Sequence, residues 1–333
     1  MTEPAPVPET PASAAHPDLS AARVVAVVVT YNREQLLQEC LDGLLAQHRA
    51  PDAVVIIDNA STDRSGEVAD QHEIDADVVH LRRNVGGAGG FAAGIARALV
   101  RHEADWVWVM DDDTVPRPEA LSALLDALGA SPVRLSVLSS RAVWTDGRDH
   151  PMNTQRQRLN ASAQEKRDAA RAGGTAIRTA SYVSALLNAQ DVRRLGLPYA
   201  DYFLWSDDFE HTGRLLRHGR GLRVPASVVE HRTVAFASAQ SNPGSRFYFD
   251  VRNRIWALAR TDSFTLLERI LYGGRTALGW VGLLLRHRTD LLGVGLRGLL
   301  AALRRGPRPS ARVLEADGEA AADIRAIERA AGR

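Results

Sequence analysis

Val24-Val25-Ala26-Val27-Val28-Val29, closed by Thr30-Tyr31-Asn32, is a run of six apolar residues, most of them β-branched. A run without polar alternation suits a strand covered on both faces. The next apolar positions, Leu36, Leu37, Cys40, Leu41, Leu44 and Leu45, fall at helical spacing. Cys40 therefore reads as a small apolar member of the helix's core face. A second buried run, Ala53-Val54-Val55-Ile56-Ile57, ends in Asp58-Asn59. Strand, helix, strand in close succession is a βαβ unit, and it implies a parallel sheet. Val78-Val79-His80-Leu81 reads as a third strand, Phe91 to Val100 as a helix, and Trp106-Val107-Trp108-Val109-Met110 as a fourth strand ending in three aspartates. In open α/β sheets, ligands bind beyond the carboxyl ends of the strands. Three of these strands end in polar or acidic residues there.

Composition sets limits on this reading. The chain has 333 residues, with 41 Lys+Arg against 40 Asp+Glu, so its surface as a whole is not built for nucleic acid. Lys166 is the only lysine. The single cysteine excludes an internal disulfide and a thiolate zinc cluster, and suits a reducing cytoplasm. No charge-free apolar stretch is long enough to span a bilayer. Residues 1–20, with five prolines and no apolar periodicity, read as a disordered leader. Residues 145–175 are polar and rich in Arg and Gln, and read as a mobile loop or irregular crossover. From Thr265 the pattern turns helical, opening on a Thr265–Glu268 capping box. The chain thus divides into residues 1–20, an α/β domain over 21–260 and a helical region over 261–333.

Four constellations carry chemistry. Asp111-Asp112-Asp113 follows a buried strand, and extended geometry would put Asp111 and Asp113 on one side. Two such carboxylates can share a hard divalent cation with substrate phosphates; the plain alternative is a solvated acidic turn. Asn84-Val85-Gly86-Gly87-Ala88-Gly89-Gly90-Phe91 precedes a helix, and its glycines would let backbone amides approach a diphosphate or sugar. It matches neither the dinucleotide fingerprint nor the lysine-containing phosphate loop, which lowers the dehydrogenase and ATPase readings. Trp205-Ser206-Asp207-Asp208-Phe209-Glu210 sets acids beside aromatics, where one carboxylate could accept a hydroxyl proton; an acidic helix start is the alternative. His231, ending a short β-like run, could complete a carboxylate metal site or be structural.

Together with the Thr30-Tyr31-Asn32-Arg33 and Asp58-Asn59-Ala60-Ser61-Thr62-Asp63 segments, these features resemble inverting family 2 glycosyltransferases of the GT-A fold, over roughly residues 24–256. Within that family the glycine segment, the triple aspartate and the tryptophan-acid cluster look most like actinobacterial galactofuranosyltransferases, and the length resembles members that prime the cell-wall galactan. The resemblance implies a Rossmann-like, mostly parallel sheet flanked by helices, with a C-terminal helical extension. It also implies roles. Thr30, Asn32, Arg33 and Asp58 would hold uridine; Arg82, Asn84, Gly86, Gly87, Gly89, Gly90 and Asp112 would line the rest of the donor site. Asp111, Asp113 and His231 would hold Mn²⁺ or Mg²⁺. Asp208 would be the general base, with Asp207 and Glu210 positioning it or the acceptor, and Trp205 would meet the acceptor, although Ser206 separates it from the acid pair. The implied reaction moves galactofuranose from UDP-galactofuranose to a polyprenyl-diphosphate-linked rhamnosyl-N-acetylglucosamine at the cytoplasmic face of the membrane, where the protein would sit peripherally. A rhamnosyltransferase using dTDP-rhamnose shares several of the segments. A catalytically silent sugar-nucleotide or membrane-binding module would not need every acid retained, and a nucleotidyltransferase would leave the Asp208 cluster without a role.

Residues 275–312 carry eight arginines against Asp290, a local charge of +7 interleaved with Leu278, Trp280, Val281, Leu285, Leu292 and Leu296. Such arginine-rich amphipathic helices suit an anionic membrane surface. The alternatives are a helical lid over the core and the interface of a homo-oligomer. Residues 313–333, with mixed charge, read as an exposed tail or last helix.

Overall fold

A computed structural model describes residues 21–332 apart from 154, 234–235, 237–242 and 287; the leader expected over 1–20 lies outside the described residues. The first half alternates strand and helix: β1 (Val24–Thr30), α1 (Glu34–Leu45), β2 (Ala53–Asp58), α2 (Ser65–Gln71), β3 (Ala76–His80), α3 (Gly86–Val100), β4 (Trp106–Asp111). Then follow β5 (Thr114–Pro116), α4 (Ala120–Ala130), β6 (Val137–Val143), β7 (Arg156–Gln157), α5 (Ala163–Arg171), β8 (Thr175–Thr179), β9 (Ala185–Asn188), α6 (Ala189–Leu195), α7 (Asp207–His218) and β10 (Gly221–His231). Helices close the chain: α8 (Phe247–Ala259), α9 (Leu266–Arg286), α10 (Arg288–Arg304), α11 (Ser310–Val313) and α12 (Gly318–Ala330).

The strands form one sheet in the order β3-β2-β1-β4-β9-β6-β10-β8-β7, with β5 paired to β10. β3, β2, β1 and β4 are parallel, as the βαβ reading requires, and β9 runs antiparallel to both β4 and β6. Every residue of β1 is buried. Val25, Val27 and Val29 pack toward α3, while Val24, Ala26 and Val28 pack toward α1 and α4. A fully buried Val contributes about 1.5–3 kcal/mol, so a strand apolar on both faces is most stable at the sheet's centre. Cys40 is buried in the α1 face.

Two local expectations are corrected, and an open choice at the C-terminus is decided. The glycine segment is not a loop before a helix: α3 begins at Gly86, and the glycines are its first turns. Packing outweighs their poor helix propensity. A Cβ at Gly90 would lie 2.4 Å from Val29 Cγ1, and one at Gly94 2.3 Å from Val27 Cγ1, so α3 can lie this close to β1 only without side chains there. Residues 145–175 hold β7 and α5; Ser162 accepts a hydrogen bond from the Glu165 amide (3.1 Å) and starts the helix. Of the two readings of the last residues, the helix holds and the exposed tail does not. Ala320, Ile324 and Ile327 of α12 join the core that α3 and β1 share, and Arg101 pairs with Asp323 at 2.9 Å. The Thr265–Glu268 capping box is present, with Thr265 and Glu268 exchanging hydrogen bonds of 2.9 and 3.4 Å at the start of α9.

Candidate active site

β4 delivers its acids where the parallel strands end, and the next turn brings a histidine to them. β5 pairs antiparallel with the end of β10, in a register that sets His231 opposite Thr114. That register leaves His231 Nε2 3.1 Å from Asp113 Oδ1. His231 Nδ1 lies 2.7 Å from Asn153 Oδ1, an acceptor only, so this nitrogen carries the proton in the tautomer that satisfies both groups. The other ring nitrogen, Nε2, faces Asp113 Oδ1, a buried oxygen with no further hydrogen-bond partner. An imidazole nitrogen and a carboxylate oxygen side by side are donor types that a divalent cation takes. Asp113 is pulled upward by burial, but His231 and Arg33 outweigh this and hold it below the usual carboxylate range. Burial pushes Asp111 well above that range, and Asp113, Asp112, Asp207 and Asp208 add to the push. Among the described residues no three carboxylate, imidazole or thiol groups stand close enough to form a complete metal-ligand set.

Asp112 points the other way. Its Oδ2 accepts hydrogen bonds from the Thr30 hydroxyl (2.9 Å) and the Tyr31 amide (3.1 Å), tying the end of β1 to β4. Burial and Asp113 push Asp112 up to about 7. Thr30 is fully buried and its hydroxyl is spent on Asp112.

The second acidic pair stands at the start of α7. Phe203, Trp205 and Ser206 all have positive φ (63°, 64° and 67°). Left-handed conformations at non-glycine residues cost on the order of 1–3 kcal/mol each and persist only where the surroundings hold them. Here α8 does the holding: the Asn253 amide donates to the carbonyls of Tyr202, Leu204 and Trp205, at 2.9, 2.7 and 2.9 Å. The turn delivers Asp207 and Asp208 to the helix N-terminus, where the dipole favours negative charge. Asp208 Oδ1 accepts from the Phe209 amide (2.6 Å). Burial nonetheless raises Asp208, and burial with the neighbouring Asp208 charge pushes Asp207 up to about 8.

A cavity of about 1090 Å³ joins the two acidic groups. Arg33, Gly87, Asp111, Asp112, Asp113, Trp205, Asp207, Asp208 and His231 line it. Glu210 does not. It is fully buried, bonded through both oxygens to Arg214 (2.9 and 3.0 Å), and accepts from the Ser263 hydroxyl (2.7 Å). That corrects the expectation that Glu210 positions the base or the acceptor. Asn32 and Asp58, at the ends of β1 and β2, are not among the lining residues: Asn32 Oδ1 accepts from the Thr62 amide (2.7 Å), and the buried Asp58 accepts from the Ser61 amide at Oδ1 (2.9 Å) and lies 2.9 Å from His80 Nδ1 through Oδ2. Arg82 donates its amide to Asp317 (2.7 Å), and Asn84 Oδ1 caps the Gly86 amide (2.7 Å), both away from the cavity wall. Gly89 and Gly90 serve helix packing, and Gly86 (φ 74°) lies against the Phe203 carbonyl; among these four glycines only Gly87 reaches the wall. Sequence reasoning missed Asn153, Arg156, Tyr182, Arg254, Arg275 and Trp280, which also line the cavity. Arg254 follows Asn253 on α8 in a stretch without an acidic motif, so only the packing of α8 against α7 brings it there.

The profile of Glycosyl transferase family 2 matches residues 25–191. Galactofuranosyltransferase GlfT1 of Mycolicibacterium smegmatis is 28% identical over 302 residues, covering 86% of this chain and 96% of that protein. GlfT1 of Mycobacterium tuberculosis is 30% identical over 280 residues, covering 79% and 90%. The solved structure of S. aureus TarS 1-349 in complex with UDP-GlcNAc superposes with a TM-score of 0.60 at 16% identity, covering 93% of this chain and 90% of that one. The mannosyltransferase PcManGT from Pyrobaculum calidifontis, in complex with GDP-Man and Mn2+, gives 0.53 at 19% identity, covering 97% and 90%. These two share the fold. With the family profile across the catalytic strands and relatives matched over most of their length, the chain belongs to glycosyl transferase family 2 and is a glycosyltransferase similar to the galactofuranosyltransferases.

Proposed function

We propose that the protein transfers galactofuranose, with inversion, from UDP-galactofuranose to a polyprenyl-diphosphate-linked rhamnosyl-N-acetylglucosamine. The observation that carries this reading is the single cavity flanked by Asp113 with His231 on one side and Asp207 with Asp208 on the other. Galactofuranose is the choice of sugar because the similar relatives are named for it. Asp113 and His231 would hold Mn²⁺ or Mg²⁺; Asp111, the third ligand expected from the sequence, completes no three-group set with them among the described residues. Such a cation supplies charge stabilisation to the leaving diphosphate.

The chain's own residues do the rest. Arg33 lies 3.6 Å from Asp113 and adds positive charge at the same edge. Of the residues expected to meet a uridine, Asn32 would offer its side-chain amide, whereas both Asp58 oxygens are engaged by Ser61 and His80. Asp208 takes the proton from the acceptor hydroxyl as that oxygen forms its bond to the anomeric carbon and the bond to the diphosphate breaks. Its raised pKa makes it a stronger base than an exposed aspartate, and one base without a protein nucleophile gives inversion. Trp205 offers the acceptor an aromatic face. The exposed leucines and arginines of α9 and α10 would place the cavity at an anionic membrane surface, where a lipid-linked acceptor resides.

A donor comparison tests the reading. UDP-galactofuranose and dTDP-rhamnose are each incubated with a synthetic prenyl-diphospho-disaccharide, with Mn²⁺ or with chelator. Transfer from UDP-galactofuranose that chelator abolishes is the expected result. Transfer from the rhamnose donor alone overturns the sugar assignment, and full activity in chelator overturns the metal.

A further inference from the structure

We infer that Arg156, Arg254 and Arg275, which together line one wall of the cavity, form a subsite for a phosphate or diphosphate group carried by the acceptor. The inference rests on the reading of Asp208 as the base that faces the acceptor. The three side chains come from separate elements, β7, α8 and α9, and converge only in the fold. Arg156 and Arg254 stack on the Phe209 ring, with guanidinium carbons 5.1 and 4.4 Å from its centroid, and Arg156 also lies 5.3 Å from Tyr272. Arg156, Arg254 and Arg275 form no salt bridge to a carboxylate among the described residues, and Arg254 Nε is enclosed without a hydrogen-bond partner.

That is unusual company for cations. Arg156 and Arg254, unlike the exposed Arg275, are largely withdrawn from water, and a guanidinium so placed is costly unless it is paired and hydrogen-bonded. Elsewhere Arg214 pairs with Glu210 and Arg178 with Glu268, and the buried Arg252, without a carboxylate, donates to Asn253 Oδ1 and to the carbonyls of Asp201 and Tyr202. The acids that act on Arg156 and Arg254 are Asp208 and Asp250, and neither forms a salt bridge with them among the described residues. Planar guanidinium forks match phosphate oxygens, and the aromatic platform fixes the forks' orientation before a ligand arrives.

The location separates this subsite from the donor's diphosphate. The charges that act on Asp113 are His231 and Arg33, whereas those that act on Asp208 are Arg254 and Arg156. The arginine wall is therefore on the base's side, and the group it addresses arrives with the nucleophile. Arg275 extends it along α9 toward the rim, where that helix exposes Leu278 and Leu285. A prenyl diphosphate presents this chemistry: an anion for the arginines and an apolar chain for the helix surface. A soluble phosphorylated acceptor would present the anion alone.

Calorimetric titration of the full chain in chelator tests the inference, since without a divalent cation the donor side cannot hold a diphosphate. The probes are geranyl diphosphate and inorganic diphosphate. Saturable binding that weakens tenfold or more in Arg254→Gln and in Arg275→Gln, but not in Asp113→Ala, is the expected result. Tighter binding of geranyl diphosphate assigns the subsite to a lipid-linked group, and equal binding assigns it to a soluble one. No binding in chelator, or binding untouched by both arginine substitutions, overturns the subsite. Arg275 is exposed, so Arg275→Gln folds and keeps the test decisive if Arg254→Gln does not. Arginine-dependent binding by a chain that fails the donor comparison would retain the subsite and reject only the sugar assignment.

Discussion

Single carboxylates in this protein differ in role according to what faces them. Asp207 and Glu210 lie three residues apart at the start of α7, yet one lines the cavity and the other is sealed beneath it. Arg214 makes the difference: it stands one helical turn beyond Glu210 and also donates to the carbonyls of Gly196 and Leu197 (3.0 Å each). Breaking a buried, hydrogen-bonded ion pair by removing one partner costs about 3–5 kcal/mol. Glu210→Ala is therefore expected to lose stability of that order in a denaturant titration. A fully stable Glu210→Ala that loses only turnover would return Glu210 to the reaction. The Glu-x-x-x-Arg spacing is visible in the sequence and points to an ion pair, but it competes there with the stronger signal of three acids in four positions. Asp111 and Asp113 were legible because a buried strand has to end where they stand. Arg156 and Arg254 were not, because nothing local distinguishes them from the chain's many other arginines.

At the scale of elements, β1, α1, β2 and β4 were legible because each carries one unbroken periodicity that the sheet then uses. The glycine segment was not, since helix propensity and packing point in opposite directions there. α3 accepts glycines because β1 presses on it, and the same contact makes them testable. Gly94→Ala would set a methyl group 2.3 Å from Val27 Cγ1. Overpacking of this kind costs about 1–3 kcal/mol, so the melting temperature is expected to fall, whereas Gly87→Ala, with open space around its Cβ and a better helix former in place, is expected not to lower it. Equal effects at the two positions would remove the packing explanation. α5 was missed for a different reason: Ser162 and Glu165 supply a cap, but the polar helix behind it has few apolar positions from which to read a period.

Across the whole molecule, charge is segregated, and the near-neutral total conceals an acidic cleft and a basic helical surface. α8 links the two: it braces the turn before Asp207 and carries α9 and α10 on its other contacts, with Trp280 Nε1 donating to Asp250 (2.6 Å) and Gly298 seated on the Tyr248 carbonyl. Leu266, Leu278 and Leu285 are 74, 75 and 79% exposed on α9, and no helix among the described residues is long and apolar enough to cross a membrane. Apolar burial with electrostatic attraction predicts partition onto phosphatidylglycerol vesicles that weakens with salt. Leu278→Ser with Leu285→Ser is expected to reduce it by about a hundredfold or more, on about 1.5–3 kcal/mol per leucine; unchanged partition would leave these leucines to another contact. The central claim, that this cavity divides donor and acceptor chemistry between its two acidic groups, is tested most directly by Asp208→Asn. Galactofuranose transfer and UDP affinity in Mn²⁺ are measured on the same preparation. The account predicts a loss of turnover of about 10²–10⁴-fold, the usual contribution of a general base, with UDP affinity unchanged; a parallel loss of UDP affinity, or retained turnover, would contradict it.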